Sequence, residues 1–175
     1  MMKYEVLGIF FTLFSIHFGL AQPIRCYKDI LFCTNKLPSF QKVKLSQNEL
    51  TLKHNKLIII VTKEPFSSQK HKIEKKGGYI FRIDGNKVFG IDGEIPQNQY
   101  KSIKIRKNNQ DITIPSWALS NLFEPNLELM TACCDAKQDK IYIFAENSSG
   151  AVSYNVVWII EKGKYVGKYT EIYNP

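Results

Sequence analysis

Apolar and polar residues alternate with a period of two along most of this chain, which is the pattern of half-buried β-strands. Residues 57–61 form a continuous Leu-Ile-Ile-Ile-Val run, which predicts an interior strand buried on both faces. The C-terminal part predicts a meander of three strands at residues 140–146, 152–160 and 165–173, because polar turns with glycine separate these stretches. The pattern therefore favours a fold built mainly of strands.

Two hairpins are predicted in the middle of the chain. In the first, an Asp-Gly-Asn turn separates the alternating stretches at residues 79–83 and 87–91. An Asp-Gly pair in this position is a strong signal for a tight hairpin turn. In the second, a Lys-Asn-Asn-Gln turn separates residues 101–106 from residues 111–114. Both hairpins are expected to belong to antiparallel sheets.

A short helix is predicted after the second hairpin. Pro115 ends the preceding strand, and Ser116 is a suitable N-cap for a helix over residues 117–123. Pro125 ends that helix, and the lysine-rich residues 67–76 are predicted to form a loop. Together these patterns predict a mainly β fold of roughly seven to nine strands. We expect a single antiparallel sandwich or partly open barrel with one or two short helices.

The N-terminal residues have the layout of a secretory signal peptide. Lys3 supplies a positive charge, residues 6–20 are apolar, and small residues precede a cleavage site at Gln22. An uncleaved membrane anchor is the alternative, but this apolar stretch is shorter than the roughly 20 residues of a spanning helix. We therefore expect a signal peptide at residues 1–21 and a single β-rich exported domain at residues 22–175. The protein would be periplasmic or secreted and would meet the membrane only during export.

Four cysteines follow the predicted cleavage site: Cys26, Cys33, Cys133 and Cys134. An even number of cysteines in an oxidising compartment favours disulfide bonds. A bond between the adjacent Cys133 and Cys134 would close a strained ring, so each is expected to pair with one of the two N-terminal cysteines. A metal site is the alternative, but neither cysteine pair has the C-x2-C spacing of a zinc site. We predict no metal and no cofactor.

The net charge of +8 favours acidic partners. The predicted signal peptide carries one lysine and one glutamate, so its removal leaves this charge unchanged. Export would separate the protein from nucleic acid, and an acidic protein or an anionic glycan is the expected partner. The alternative is that lysines spread over the surface serve solubility alone.

Two surfaces are candidates for binding. The first is basic and combines lysines of the predicted loop with two strand residues: Lys70, Lys72, Lys75, Lys76, Lys104 and Arg106. Lys104 and Arg106 alternate with Ile103 and Ile105, so they are expected to point to solvent. The second surface consists of Tyr165, Tyr169 and Tyr173, whose even spacing predicts one face of the last strand. If exposed, these rings would stack on sugars or on a protein, and if buried they would belong to the core.

The sequence contains no recognisable catalytic motif: G-x-S-x-G, H-E-x-x-H and the P-loop are all missing. Beyond the predicted signal peptide there are two histidines, His54 and His71, and neither is close in sequence to a cysteine. The aspartates of the Asp84-Gly85 and Asp92-Gly93 pairs are explained by turn formation. We therefore predict no catalytic residues.

Part of the chain resembles small exported bacterial proteins of unassigned function. The resemblance covers about a third of the sequence and is carried by the following stretches: Ile114-Pro115, Asn121-Leu122-Phe123-Glu124-Pro125-Asn126, Ser148-Ser149-Gly150-Ala151-Val152-Ser153-Tyr154 and Val157-Trp158. It implies a fold and a compartment and carries no catalytic residues.

These observations favour an exported non-enzymatic binding domain, in the form of an inhibitor or immunity protein against an envelope-acting enzyme or toxin. The alternatives are a secreted hydrolase of cell-wall or glycan substrates and an envelope structural or adhesive subunit. A pocket with two carboxylates about 5–10 Å apart would favour the hydrolase. A flat or convex basic face would favour the inhibitor, and an exposed unpaired edge strand would favour assembly by strand addition.

Overall fold

The computed structural model describes residues 27–172, so the predicted signal peptide, Cys26 and Tyr173 lie outside the described residues. One helix, α1 (Tyr27–Thr34), precedes the strands. The strands are β1 (Gln41–Leu45), β2 (Glu49–His54), β3 (Leu57–Pro65), β4 (Ile73–Lys76), β5 (Tyr79–Ile83), β6 (Asn86–Lys87), β7 (Asn98–Lys107), β8 (Gln110–Thr113), β9 (Thr131–Asp135), β10 (Lys140–Asn147), β11 (Tyr154–Glu161) and β12 (Lys164–Ile172). Short 3-10 turns lie at Ser68–Lys70, Ser116–Ala118, Leu127–Leu129 and Gly150–Val152.

The strands form antiparallel sheets, which confirms the predicted mainly β fold. A five-stranded sheet has the order β1-β2-β3-β7-β8, and a four-stranded sheet has the order β12-β11-β10-β9. A small sheet of β4, β5 and β6 is inserted between β3 and β7. Among residues 27–172 no sheet closes into a barrel, and the two large sheets share one core.

The main core lies between the five-stranded and the four-stranded sheets. Alternate residues of β7, among them Ile103 and Ile105, point inward and are fully buried. From the opposite sheet, Trp158 is fully buried, and its ring meets the ring of Tyr100 edge to face at a centroid distance of 5.4 Å. The indole Nε1 of Trp158 donates a hydrogen bond to the carbonyl oxygen of Ala118 at 3.3 Å. Both large sheets therefore contribute to one continuous core.

Helix α1 covers the outer face of the four-stranded sheet. Tyr27 and Ile30 are buried there in a second apolar cluster with Phe144 and Val157. The rings of Tyr27 and Phe144 meet edge to face at 5.8 Å. The four-stranded sheet is therefore buried on both of its faces, although the sequence pattern did not predict this helix. Within residues 27–172 no helix is both long and apolar enough to cross a membrane.

A strand is present at residues 57–61, as predicted, but it is not buried on both faces. It forms part of β3 at the centre of the five-stranded sheet, where Ile59 and Val61 are fully buried. Ile58 and Ile60 point to the other side of the sheet and are only partly buried. The reason is that helix α1 packs on the other sheet, which leaves the outer face of this one open.

The second predicted hairpin is confirmed, as β7 and β8. The turn of the first is also present, but its returning strand, predicted at residues 87–91, is reduced to β6 (Asn86–Lys87), because Phe89 pairs with Leu122 instead. Asp84 and Gly85 have φ values of 51° and 75°, and Asn108 and Asn109 have φ values of 49° and 64°. A positive φ at both central residues is the signature of the type I′ turn, whose twist matches that of the flanking strands. The predicted C-terminal meander is also present, as β10, β11 and β12.

Two local predictions were wrong. The predicted loop at residues 67–76 contains a 3-10 turn and strand β4. The predicted helix at residues 117–123 is reduced to the 3-10 turn Ser116–Ala118. The Phe89 N–H donates to the Asn121 carbonyl at 3.0 Å, and the Phe123 N–H donates to the Phe89 carbonyl at 3.1 Å. These backbone groups are committed to pairing with another segment, so they cannot form the internal bonds of a helix.

Candidate functional site

The outer face of the five-stranded sheet, here called the open face, is the surface on which the predicted basic residues lie. One row of cross-strand partners consists of Lys53, Ile58, Arg106 and Asp111. The neighbouring row consists of Lys44, Thr51, Ile60, Lys104 and Thr113. Cross-strand partners share one face of a sheet, so these side chains form a continuous surface.

The positions of Lys104 and Arg106 agree with the sequence prediction. Both side chains are exposed, whereas the alternating Ile103 and Ile105 are fully buried. This separation follows from the period of two in a strand, which sends successive side chains to opposite faces. Sequence reasoning missed the contribution of Lys53, because only the strand pairing places it two strands away from Arg106 in the same row.

The electrostatics of the open face are dominated by cations. Arg106 donates two hydrogen bonds to the carboxylate of Asp111, from Nε to Oδ1 at 2.9 Å and from Nη2 to Oδ2 at 3.3 Å. The hydrogen bond from Arg106 lowers the pKa of Asp111, and the same bond raises the pKa of Arg106. Lys44 is paired with Glu49 at 2.7 Å. Lys53 and Lys104 have no ion-pair partner in the described part of the chain, so the open face keeps an excess of positive charge.

The loop lysines do not extend this surface, contrary to the sequence prediction. They lie in the segment inserted between β3 and β7, which leaves the sheet where Pro65 pairs with Asn98. Arg106 pairs with Ile58 near the other end of the same strands. Lys104 is six residues from Asn98, or roughly 20 Å along the strand. The structure therefore separates the two basic groups, which sequence alone could not show.

The predicted tyrosine face is also wrong, because a β-bulge interrupts strand β12. Ile159 pairs with Gly167 and Ile160 pairs with Tyr165, so Val166 is an extra residue in this strand. As a result Tyr165 packs against the main core, whereas Tyr169 packs against the cluster under helix α1. The two rings lie on opposite faces of the sheet and cannot form one binding surface. Tyr173 lies outside the described residues.

The same bulge places Lys168 on the inner side of strand β12. Its Nζ donates hydrogen bonds to the Ala118 carbonyl at 2.9 Å and to Asn121 Oδ1 at 2.6 Å. Burial lowers the pKa of Lys168 to about 8. The two hydrogen bonds of Lys168 therefore hold the turn at residues 116–121 against the sheet. Next to this turn, the exposed ring of Trp117 meets the ring of Tyr165 at a centroid distance of 5.4 Å.

We expect the free energy of unfolding of the wild type to rise from pH 8 to pH 10, relative to that of Lys168→Met. The unfolded lysine keeps its proton to about pH 10.5, whereas the folded lysine loses it near pH 8. The unfolded state therefore binds more protons in this window, and stability increases with pH. Urea titrations of both proteins at several pH values measure the difference. A difference that does not change with pH would contradict the lowered pKa.

The three described cysteines, Cys33, Cys133 and Cys134, carry free thiols in this structure, unlike the predicted disulfide framework. Cys33 is exposed on helix α1. Cys133 and Cys134 are adjacent on β9 and therefore point to opposite faces: Cys133 lies in the cluster under α1 and Cys134 in the main core. Burial raises the pKa of the Cys133 thiol to about 11. The part of the framework that involves Cys26 lies outside the described residues.

The two histidines within residues 27–172, His54 and His71, have local structural contacts. His71 Nδ1 lies 2.7 Å from Asp84 Oδ2, and its ring stacks on that of Phe66 at 4.7 Å. The hydrogen bond with His71 lowers the pKa of Asp84. The ring of His54 lies 5.6 Å from that of Phe40. Within residues 27–172, no three histidine, cysteine, aspartate or glutamate side chains are grouped so that they could hold a metal ion.

Sequence reasoning missed a pair of carboxylates on the four-stranded sheet. Glu146 and Glu171 both pair with Asn155, so they lie on one face, two strand spacings apart. They line a cavity of about 320 Å³ next to Tyr27. Oε2 of Glu171 is buried there without a hydrogen-bond partner. Burial raises the pKa of Tyr27 to about 12, and the charges of the two glutamates add to this effect.

Comparison with known proteins gives no relative: no protein family matches the chain, and no curated protein or solved structure is significantly similar to it.

Proposed function

We propose that this protein is a non-enzymatic binding domain that docks an acidic partner on the open face of its five-stranded sheet. The observation that carries the proposal is the composition of that face. Partly buried Ile58 and Ile60 lie at its centre, and Lys53, Lys104 and Arg106 surround them. An apolar centre with a polar rim is the usual anatomy of a protein interface, and arginine is enriched there.

The partner class that we propose is an acidic protein, with an anionic glycan as the second choice. Both would be attracted by the net charge of +8 and by the lysines that have no ion-pair partner on this face. The open face extends over all five strands, which suits the broad surface of a protein better than a small ligand. We therefore propose an inhibitor or immunity protein that covers an envelope-acting enzyme or toxin.

Affinity capture from a native envelope extract, with the mature domain immobilised, tests this proposal. The expected result is an acidic protein that elutes as the salt concentration increases, because charge pairs between exposed residues are screened by salt. Capture that is insensitive to salt, or that persists when the open face is blocked by charge reversal, would count against the open face as the docking surface.

We also propose that the protein is exported and that its mature chain begins at Gln22. Lys3, the apolar residues 6–20 and the small residues before Gln22 support this proposal. We expect N-terminal sequencing or the intact mass of protein from the periplasm or medium to show loss of residues 1–21. A mass that retains these residues would leave the protein attached to the membrane and would rule out a soluble inhibitor.

For the exported protein we propose one disulfide, between Cys133 and a cysteine of the N-terminal segment. Cys133 faces helix α1, which carries Cys33, whereas Cys134 faces the main core on the other side of the sheet. We expect mass spectrometry of unreduced protein to find Cys134 as a free thiol. Cys133→Ser should abolish the disulfide, and Cys134→Ser, the matched control, should leave it in place. A disulfide bond through Cys134 would contradict the observation that Cys133 faces helix α1 and Cys134 faces the main core.

A second candidate function, hydrolysis of a glycan, is favoured by the glutamate pair beside Tyr27. The Cα atoms of Glu146 and Glu171 are roughly 10 Å apart, since two strand spacings separate them. Glycosidases use two carboxylates on either side of the scissile bond. Incubation with purified cell-wall glycan tests this candidate, with Glu171→Gln as the inactive control. Equal product formation by the wild type and Glu171→Gln would exclude this pair as the active site.

A further inference from the structure

A second cavity lies at one end of the sandwich, where the turns between β2 and β3, β7 and β8, and β9 and β10 meet. Its volume is about 620 Å³, and we call it the hairpin-end cavity. Volumes between about 300 and 1,000 Å³ are typical of sites for small molecules. The cavity lies between the two large sheets, so it is distinct from the open face.

The floor of the hairpin-end cavity is apolar. It is formed by Cys134 and Ile141, which belong to the main core, and by Leu57, which packs against that core. Burial raises the pKa of the Cys134 thiol, and the charge of Asp135 adds to this effect. The thiol therefore remains protonated and uncharged at neutral pH. Such a floor favours a hydrocarbon chain over a polar group.

The rim of the cavity carries charges of both signs, and two of its three lysines are already engaged in ion pairs. Lys107 of β7 forms an ion pair with Asp139 of the β9–β10 turn, and Lys140 lies 3.7 Å from Glu161. The carboxylate of Asp135 accepts hydrogen bonds from two backbone N–H groups of its own turn.

Lys56 is the third lysine of the rim. Its side chain is exposed, and it has no ion-pair partner within the described ranges. Lys56 is therefore the lysine at the mouth of the cavity that is free to pair with an anionic group, whereas the carboxylate of Asp135 is directed toward the backbone N–H groups of its own turn.

We propose that the hairpin-end cavity binds an amphipathic anion, such as a medium-chain carboxylate. The hydrocarbon chain would lie against Leu57, Cys134 and Ile141, and the carboxylate would lie at the rim beside Lys56. This arrangement removes apolar surface from water while the anionic head stays partly hydrated next to a cation. The proposal does not depend on the acidic partner of the open face, because the two sites share none of these residues.

Titration of the purified protein with decanoate, followed by methyl NMR spectra, tests the proposal. We expect saturable shifts of the Leu57 and Ile141 methyl resonances, whereas those of Ile60 on the open face should not move. Decyltrimethylammonium, a cation with the same chain length, should bind more weakly. If these two resonances show no saturable shift, or if the cation binds as tightly as the anion, the proposal is wrong.

Charge reversal at the rim provides the matched variants. Lys56→Glu should weaken decanoate binding roughly five-fold, since an exposed charge pair contributes modestly. Lys137→Glu changes the net charge equally, and this exposed residue of the β9–β10 turn does not line the cavity. It should leave decanoate binding unchanged. Equal loss in both variants would point to net charge alone and would overturn the role of Lys56. Failure to capture an acidic protein would not affect these results.

Discussion

Replacing both Lys104 and Arg106 with glutamate is expected to weaken binding of the acidic partner by about ten-fold or more at low salt. The two changes put negative charge where the open face has its cations, and like charges facing each other across an interface are strongly unfavourable. They should also flatten the salt dependence of binding, because fewer screened charge pairs remain. Titration of the captured partner at two salt concentrations measures both effects.

The fold of this double variant should survive, since both side chains are exposed and point away from Ile103 and Ile105. Surface substitutions of this kind alter stability little. The matched control is the double change of Lys75 and Lys76 to glutamate, which has the same effect on net charge. These lysines are exposed on β4, away from the open face. If both double variants lose affinity equally, net charge rather than the open face determines binding.

Trp158→Ala is expected to lower the free energy of unfolding by about 3–5 kcal/mol, the range for removing a buried aromatic side chain. Trp158 is fully buried, and its ring packs on Tyr100. Its removal leaves a cavity between the two sheets and also removes the hydrogen bond to Ala118. Urea unfolding monitored by circular dichroism measures the change.

Trp117→Ala is the matched control for this prediction, because the two tryptophans differ mainly in burial. Trp117 is 68% exposed and has an edge contact with Tyr165, so its removal should cost about 1 kcal/mol or less. If Trp158→Ala is too unstable to purify, Trp158→Phe should retain the fold with a smaller loss. Equal losses for Trp117→Ala and Trp158→Ala would contradict the packing of the two sheets.

Helix α1 explains why, of the two large sheets in residues 27–172, the five-stranded one has its outer face open to solvent. Helix α1 buries the outer face of the four-stranded sheet through Tyr27 and Ile30. The outer face of the five-stranded sheet keeps polar residues between its isoleucines, as in a sheet that has one side in solvent. Lys53, Lys104 and Arg106 are therefore compatible with the fold because they lie on its solvent side.

The sequence by itself determined the mainly β class, the two hairpin turns and the facing of neighbouring residues in strand β7. Alternation along residues 101–106 was sufficient to place Lys104 and Arg106 in solvent, because a strand sends successive side chains to opposite faces. The turns at Asp84-Gly85 and Asn108-Asn109 were also predictable, because the residue types of a tight turn are a local property of the sequence. Glycine, aspartate and asparagine accept the positive φ that a type I′ turn requires.

Only the tertiary structure decided which residues from different strands share a surface. The bulge at Val166 separates Tyr165 from Tyr169, and one inserted residue is enough to reverse the facing of a strand. Strand order and register place Lys53 in one row with Arg106. They also determine how far the loop lysines lie from Lys53 and Arg106. These arise from contacts between residues far apart in sequence, which local periodicity does not encode.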